Sequence, residues 1–301
     1  MTAADGRPPI SPAPDVADAI DALAAAPPPL LVVADFDGTL AVGARDPAVA
    51  VIEPLARRAL RALARVAAER PGRAHVTVLT GRVAADVAAR VRVGGVEYLG
   101  DHGLEHGILA RGGRAEHLRV VTDPVFDAHR HPAAILARGV TDELGSPPWL
   151  FVERKGPSVA FHVRQADDVP AARRAVVEAV ATVEAREGLR DHGLAHYRGR
   201  SVVDLRPAGA GGKREAVERL LERHRPGGVI VLGDELSDVD AFEAVITARA
   251  RRPGARALVA TTVAVNGATR PAPDELVRQA DLCLGSPREV GRVLLALARR
   301  L

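Results

Sequence analysis

Four short apolar runs punctuate the chain: LLVVAD at 30–35, HVTVLT at 75–80, GVIVLGD at 228–234 and ALVATTV at 257–263. Unbroken runs of this length, rich in β-branched residues, predict strands buried on both faces. Between and after them apolar positions recur at helical spacing, predicting helices over 48–70, 83–91, 213–224 and 286–301. The last opens on Ser286 with Pro287 behind it and Glu289 in capping-box register. Strands alternating with helices predict an α/β core, a doubly wound, Rossmann-like parallel sheet. Residues 1–29 are rich in Pro and Ala; Asp15 is placed to cap a short helix that ends at Pro27, Pro28 and Pro29, so this stretch reads as a peripheral extension.

The pattern changes between Ile108 and Arg206. A helix over about 124–144 is followed by a strand pair at 149–156 and 157–164, a second helix at 169–187, and two more strands at 194–199 and 200–207. Tight turns at Gly156-Pro157 and Gly199 predict antiparallel hairpins. The expected organisation is a core of 30–107 and 207–301, interrupted by an inserted α+β domain over 108–206.

Composition narrows the class of protein without naming a chemistry. The chain has 301 residues, 47% of them hydrophobic and only 3% aromatic, so Val, Leu and Ala must fill the interior. The single cysteine, Cys283, excludes an intramolecular disulfide, and with no basic n-region or apolar h-region at the N-terminus a cytoplasmic location is expected. No apolar run is long enough for a membrane span. A net charge of +3, with arginine pairs spread along the sequence, argues against a nucleic-acid-binding face. Of 41 basic residues only Lys155 and Lys213 are lysines, which singles them out as places where a compact ammonium is required or has merely survived.

Three of the four runs end in Asp35, Thr80 and Asp234, and ligands of parallel α/β sheets bind beyond the carboxyl ends of the strands. Asp35 and Asp37 would face opposite sides of a continuing strand, but Gly38 permits a turn that returns Asp37 to the same opening. One carboxylate can then attack while the other handles a proton, although either alone is compatible with a helix cap. Thr80 reads equally as an N-cap or as a phosphoryl contact at a helix N-terminus. Lys213 opens a helix, where the macrodipole disfavours a cation unless an anion lies close by. Asp234, Glu235 and Asp238 form an acidic cluster suited to a hard divalent cation such as Mg²⁺, or else a solvated loop.

In these residues the sequence resembles the haloacid dehalogenase-like phosphatases. The DxDGT motif is met by 35–39, and the later motifs by Thr80, Lys213 and GDELSD. The insert then corresponds to a C2-type cap. Within that superfamily the chain is similar to the trehalose-6-phosphate phosphatase family: YLGDHGLE (98–105) is similar to its G-N-H-G-x-E segment, and VERKGPSVAFHVR (152–164) to its cap strand. The resemblance places Glu153, Lys155 and Ser158 at sugar-contacting positions, with Arg82, Asp101 and His102 on the core rim. The chain departs from the family pattern at Asp101 (usually Asn), Asp204 (usually Glu), Glu235 (commonly Asp) and Arg214 (usually Gly).

What the resemblance implies is a two-step phosphoryl transfer. Asp35 is the nucleophile and Asp37 the acid and then the base, while Thr80 and Lys213 hold the phosphoryl group. Mg²⁺ is held by Asp35, the Asp37 carbonyl and Asp234, with Asp238 or Glu235 in support. The expected substrate is a small sugar phosphate, trehalose 6-phosphate first; an aminocyclitol pseudo-disaccharide phosphate of the validoxylamine type and a non-catalytic sugar-phosphate-binding module are the alternatives. Oligomeric state is left open.

Overall fold

The computed structural model describes residues 16–43, 47–189, 191–199, 201–252, 254, 257–267 and 271–301. Asp15, the expected cap of the first helix, lies outside them. The larger sheet is built from β1 (Leu30–Ala34), β2 (Ala74–Leu79), β3 (Val96–Gly100), β4 (Glu105–Leu109), β5 (Val121–Thr122), β10 (Gly228–Gly233), β11 (Val259–Val265) and β12 (Leu282–Leu284). Their order is β12-β11-β10-β1-β2-β3-β4-β5. Every pairing from β12 to β3 is parallel, and β4 and β5 finish the edge antiparallel.

Period-two alternation explains why β1 sits at the centre. Leu30, Val32 and Ala34 face one apolar layer, and Leu31 and Val33 face the other. The first layer is covered by α1 (Val16–Ala25), α2 (Pro54–Glu69), α3 (Ala84–Val91) and α9 (Pro287–Arg300), the second by α6 (Lys213–His224), α7 (Leu236–Arg251) and α8 (Asp274–Gln279). Helices on both faces of a mainly parallel sheet are the doubly wound arrangement expected from the sequence.

The second sheet contains β6 (Phe151–Arg154), β7 (Val159–His162), β8 (Leu194–Arg198) and β9 (Val202–Pro207), in the antiparallel order β6-β7-β9-β8. Its inner face packs on α4 (Arg130–Glu143) and α5 (Val169–Glu187) through a separate core that includes Leu136, Val140, Phe161, Val176, Val180 and Leu205. This is an α+β cap inserted between β5 and α6.

Several elements differ from the expectation, each for a local reason. The helix expected from 48 starts at Pro54, because Glu53 caps it by accepting the Leu55 and Ala56 amides at 2.6 and 2.9 Å. The larger sheet continues through β4 and β5, past residue 108 where the insert was expected to begin. Polar side chains had disguised β3 and β4: Glu97 is buried in β3 and meets His106 of β4 at 2.7 Å. The GDELSD segment is the start of α7 rather than a free loop, with Glu235 at its N-cap. Ser286 caps α9 by accepting the Glu289 amide, while the Glu289 carboxylate accepts from Gly285 at 2.8 Å.

Candidate active site

The carboxyl ends of β1, β2, β3 and β10 open on one crevice, and the residues that follow them fill it. Asp35 follows β1, and Asp37 lies in a tight turn closed by the Gly38 amide donating to the Ala41 carbonyl at 2.8 Å. Gly38 has φ +82°, and a Cβ there would fall 2.1 Å from an Asp234 carboxylate oxygen. Only glycine lets this turn lie against Asp234. Thr39 donates to Asp234 Oδ1 at 3.3 Å, joining the turn after β1 to the end of β10.

Asp35, Asp234 and Asp238 are all buried and present oxygens within 4.8 Å of one another. Asp238 is held in place by accepting the Asp234 and Glu235 amides at 3.1 and 3.0 Å, which uses the free amides of the α7 N-terminus. Lys213, from the first turn of α6, is buried between them and donates to Asp35 Oδ1 and Asp238 Oδ1, both at 2.7 Å. Burial alone would lower the Lys213 ammonium, but Asp238 and Asp35 hold it well above its usual value, so it stays a cation. Burial pushes the Asp35 carboxyl up to about 7; Lys213 pulls it back, and Asp238 and Asp37 add to the rise. Three buried carboxylates thus converge on one pocket, with the Lys213 ammonium bonded to two of them. An all-oxygen donor set of three carboxylates fits a hard divalent cation.

Asp37 is not part of that carboxylate group. Arg82 grips both of its oxygens, Nε to Oδ2 at 2.6 Å and Nη2 to Oδ1 at 2.9 Å, and reaches Asp86 at 3.0 Å with its remaining nitrogen. Thr80 is buried and accepts the Arg82 amide on its hydroxyl at 3.2 Å in a turn ahead of α3, so it does not serve as the helix N-cap, which is Val83. The turn after β3 is stitched to this one: Asp101 donates its amide to the Arg82 carbonyl and His102 to the Thr80 carbonyl. Asp101 and His102 have φ of +46° and +59°, a left-handed pair that Asp and Asn tolerate better than most residues. Glu105 ends this segment by accepting the Ala84 amide at 2.6 Å, so it caps α3, whose own N-cap Val83 has no side-chain acceptor.

The cap reaches the same rim. A turn at Gly156, closed by Lys155 and Ser158, carries both side chains to Asp101. Lys155 Nζ lies 3.3 Å from Asp101, 3.5 Å from Asp204 and 4.0 Å from Glu153, and the Ser158 hydroxyl donates to Asp101. Burial raises the Asp101 carboxyl, with Lys155 opposing. For Lys155 burial works downward, yet Asp204, Asp101 and Glu153 hold the ammonium above its usual range. His102 approaches Asp204 at 3.5 Å, but burial presses its imidazole down to about 4 and keeps it neutral near pH 7. Glu153 accepts from His162 at 2.9 Å. A second bridge between cap and core joins Arg164 to Glu235 at 3.7 Å.

The expected residues fall into two contacting groups, Asp35, Asp37, Thr80, Arg82, Lys213, Asp234 and Asp238 in the core, and Asp101, His102, Glu153, Lys155 and Ser158 where the cap meets it, joined through the Asp101 amide on the Arg82 carbonyl. Asp204 was noted in the sequence only as a departure from the family pattern, and neither it nor Arg206 was given a place in the site. Arg206 meets Asp204 at 3.2 Å and stacks on Tyr197 with its guanidinium carbon 3.6 Å from the ring centroid. Their i, i+2 spacing on a predicted strand, which points both to one face, was the available signal.

A mainly parallel sheet with a carboxylate-bearing turn after its central strand and an inserted antiparallel cap is the architecture of haloacid dehalogenase-like hydrolases. Solved structures agree at the level of fold. The C-terminal domain of the Candida albicans trehalose-6-phosphate phosphatase superposes with a TM-score of 0.70 at 20% identity, covering 96% of this chain and 98% of that one. A haloacid dehalogenase-like hydrolase from Bacteroides thetaiotaomicron gives 0.52 at 17% identity, covering 90% and 99%. The trehalose-phosphatase family model matches residues 33–271, and the chain belongs to that family. The trehalose-phosphate phosphatase of Mycobacterium avium is 37% identical over 224 residues, 70% of this chain and 50% of the relative; that of Mycobacterium tuberculosis is 34% identical over the same length. The chain thus spans about half the length of the curated relatives it matches.

Proposed function

We propose that the chain hydrolyses the phosphate monoester of trehalose 6-phosphate, releasing trehalose and phosphate. The observation that carries this reading is the buried Asp35 carboxylate, held at 2.7 Å by Lys213 beside Asp234 and Asp238 at the mouth of a crevice roofed by a polar cap. Asp35 Oδ attacks phosphorus in line while the bond to the sugar oxygen breaks, giving an aspartyl-phosphate. Asp37, one turn away, gives a proton to the departing sugar oxygen and then takes one from the water that cleaves the intermediate. Arg82 fixes the Asp37 carboxylate in position, and one of its two hydrogen bonds must open for a proton to move. Lys213 neutralises charge on the phosphoryl oxygens and keeps Asp35 oriented. Asp35, Asp234 and the Asp37 carbonyl, with Asp238 in support, would hold Mg²⁺, which supplies further neutralisation of the phosphoryl oxygens when bound. Glu153, Lys155, Ser158 and Asp204 from the cap, with Asp101 and His102 from the core, bind sugar hydroxyls and exclude water during transfer.

An aminated leaving group draws its rationale from the additional carboxylate at Asp101. Lys155 and Ser158 already meet that carboxylate, so the non-aminated disaccharide is the better match. Phosphate release from a panel of sugar phosphates, with Mg²⁺ or with a chelator, tests the reading. Trehalose 6-phosphate is expected to be the best substrate, with activity lost on chelation and restored by Mg²⁺. A hexose monophosphate or an aminated disaccharide phosphate turned over faster would contradict it.

A further inference from the structure

At the opposite end of the sheet from Asp35 lies a second concave site. The pairing of Val96 with Leu109 marks the end of β3 and β4 remote from Gly100 and the crevice. There a cavity of about 310 Å³ is lined by Arg61 and Arg65 of α2, Arg92 after α3, and Arg111 after β4, together with small residues such as Ala64 and Gly94. Arg61 and Arg65 are one helical turn apart and share a face. Gly94 brings two loops together, since a Cβ there would lie 2.3 Å from the Ala110 carbonyl oxygen. The four arginines thus come from three separate parts of the chain.

Some other arginines of this arginine-rich protein meet acids, as Arg90 meets Asp86 and Arg249 meets Asp281, while others, such as Arg73 and Arg252, donate to backbone carbonyls. Among the described residues none of Arg61, Arg65, Arg92 and Arg111 pairs with a carboxylate. Arg57, one turn before Arg61, adds to the same field: burial first, then Arg61 and Arg92, lower its guanidinium below the usual value, and its buried Nε has no hydrogen-bond partner among the described residues. Positive charge of one sign around a concave surface concentrates anions, and guanidinium forks match phosphate oxygens two at a time. A lining dominated by arginines, glycines and Ala64, with Val93 as its one larger apolar residue and no aromatic ring, selects for charge rather than apolar bulk.

We propose that this pocket binds a small, multiply charged phosphorylated anion, separately from substrate in the crevice. The pocket is large enough for more than one phosphate group, and the spread of the four guanidiniums over three segments favours a ligand whose charges are themselves spread. Calorimetric titration of the full chain with inorganic tripolyphosphate, and separately with orthophosphate, tests this. Tripolyphosphate is expected to bind saturably and more tightly than orthophosphate. Its affinity should fall by roughly tenfold or more in Arg61→Glu/Arg111→Glu. The phosphatase kcat/KM of that variant should stay at the wild-type value. If the double variant does not fold, Arg65→Ala/Arg92→Ala serves in its place, with a loss in the same direction. Absence of saturable binding, equal affinity for the two probes, or an affinity untouched in a folded variant would overturn the proposal.

Discussion

Asp101 shows how one residue can serve both backbone and charge. Its left-handed φ of +46° asks for Asp or Asn, and its buried carboxylate then needs the Lys155 ammonium and the Ser158 hydroxyl from the cap. Asp101→Asn keeps the backbone preference and an acceptor for Ser158, but removes the charge that faces Lys155. The expected cost is about 1–3 kcal/mol of stability. Denaturant unfolding checks it, and amide exchange at 155–158 should quicken because cap and core lose a contact; unchanged values would show that the pair contributes nothing. The core residues of the site were legible in the sequence because motif chemistry and strand ends coincide at Asp35, Thr80 and Asp234. Arg82 was legible only as a rim residue. Its grip on Asp37 joins residues 45 positions apart and depends on how two turns meet, which no local pattern encodes.

At the scale of elements, the central strands were plain because they are apolar on both faces, whereas β3, β4 and β12 were hidden by buried polar residues or by brevity. Helix α7 was hidden by its acidic first turn, in which Asp238 accepts two backbone amides instead of facing water. Helix packing holds a further feature that propensity alone would misjudge. Gly291 lies inside α9, where alanine would ordinarily gain about 1 kcal/mol of helix stability. Here α9 crosses α2 so closely that a Cβ would lie 2.6 Å from the Ala56 amide nitrogen. Backbone cannot yield as a side chain can, so the clash outweighs propensity. Gly291→Ala is expected to destabilise by about 1–3 kcal/mol, read from the urea midpoint. An increase in stability would show that the two helices can separate freely.

For the whole molecule, stability depends on pH through histidines that fold in the neutral form. His224 stacks on His75 with ring centroids 3.9 Å apart, beside Arg223 and Glu97. Burial first, then His75 and Arg223, press its imidazole down to about 4, with Glu97 opposing. The unfolded chain takes up this proton near pH 6.5 and the folded chain only near 4. The contribution of His224 is therefore intact above pH 6.5 and lost as pH falls from there towards 4. Asp35 and Asp101 titrate in the opposite sense, so the effect is read as a difference: His224→Gln should flatten the fall in stability between pH 7 and 5 relative to wild type. Parallel pH profiles for the two proteins would remove His224 from the account.

In the proposed reaction, phosphate passes from the sugar to the Asp35 carboxylate, as an aspartyl-phosphate, before water releases it. Rapid acid quench after mixing with Mg²⁺ and trehalose 6-phosphate bearing a radiolabelled phosphate, followed by peptide mapping, looks for that species directly. The label is predicted on the peptide containing Asp35 in wild type and absent from Asp35→Asn, which should remain folded and inactive. Label on another residue, or turnover by Asp35→Asn at the wild-type rate, would contradict it.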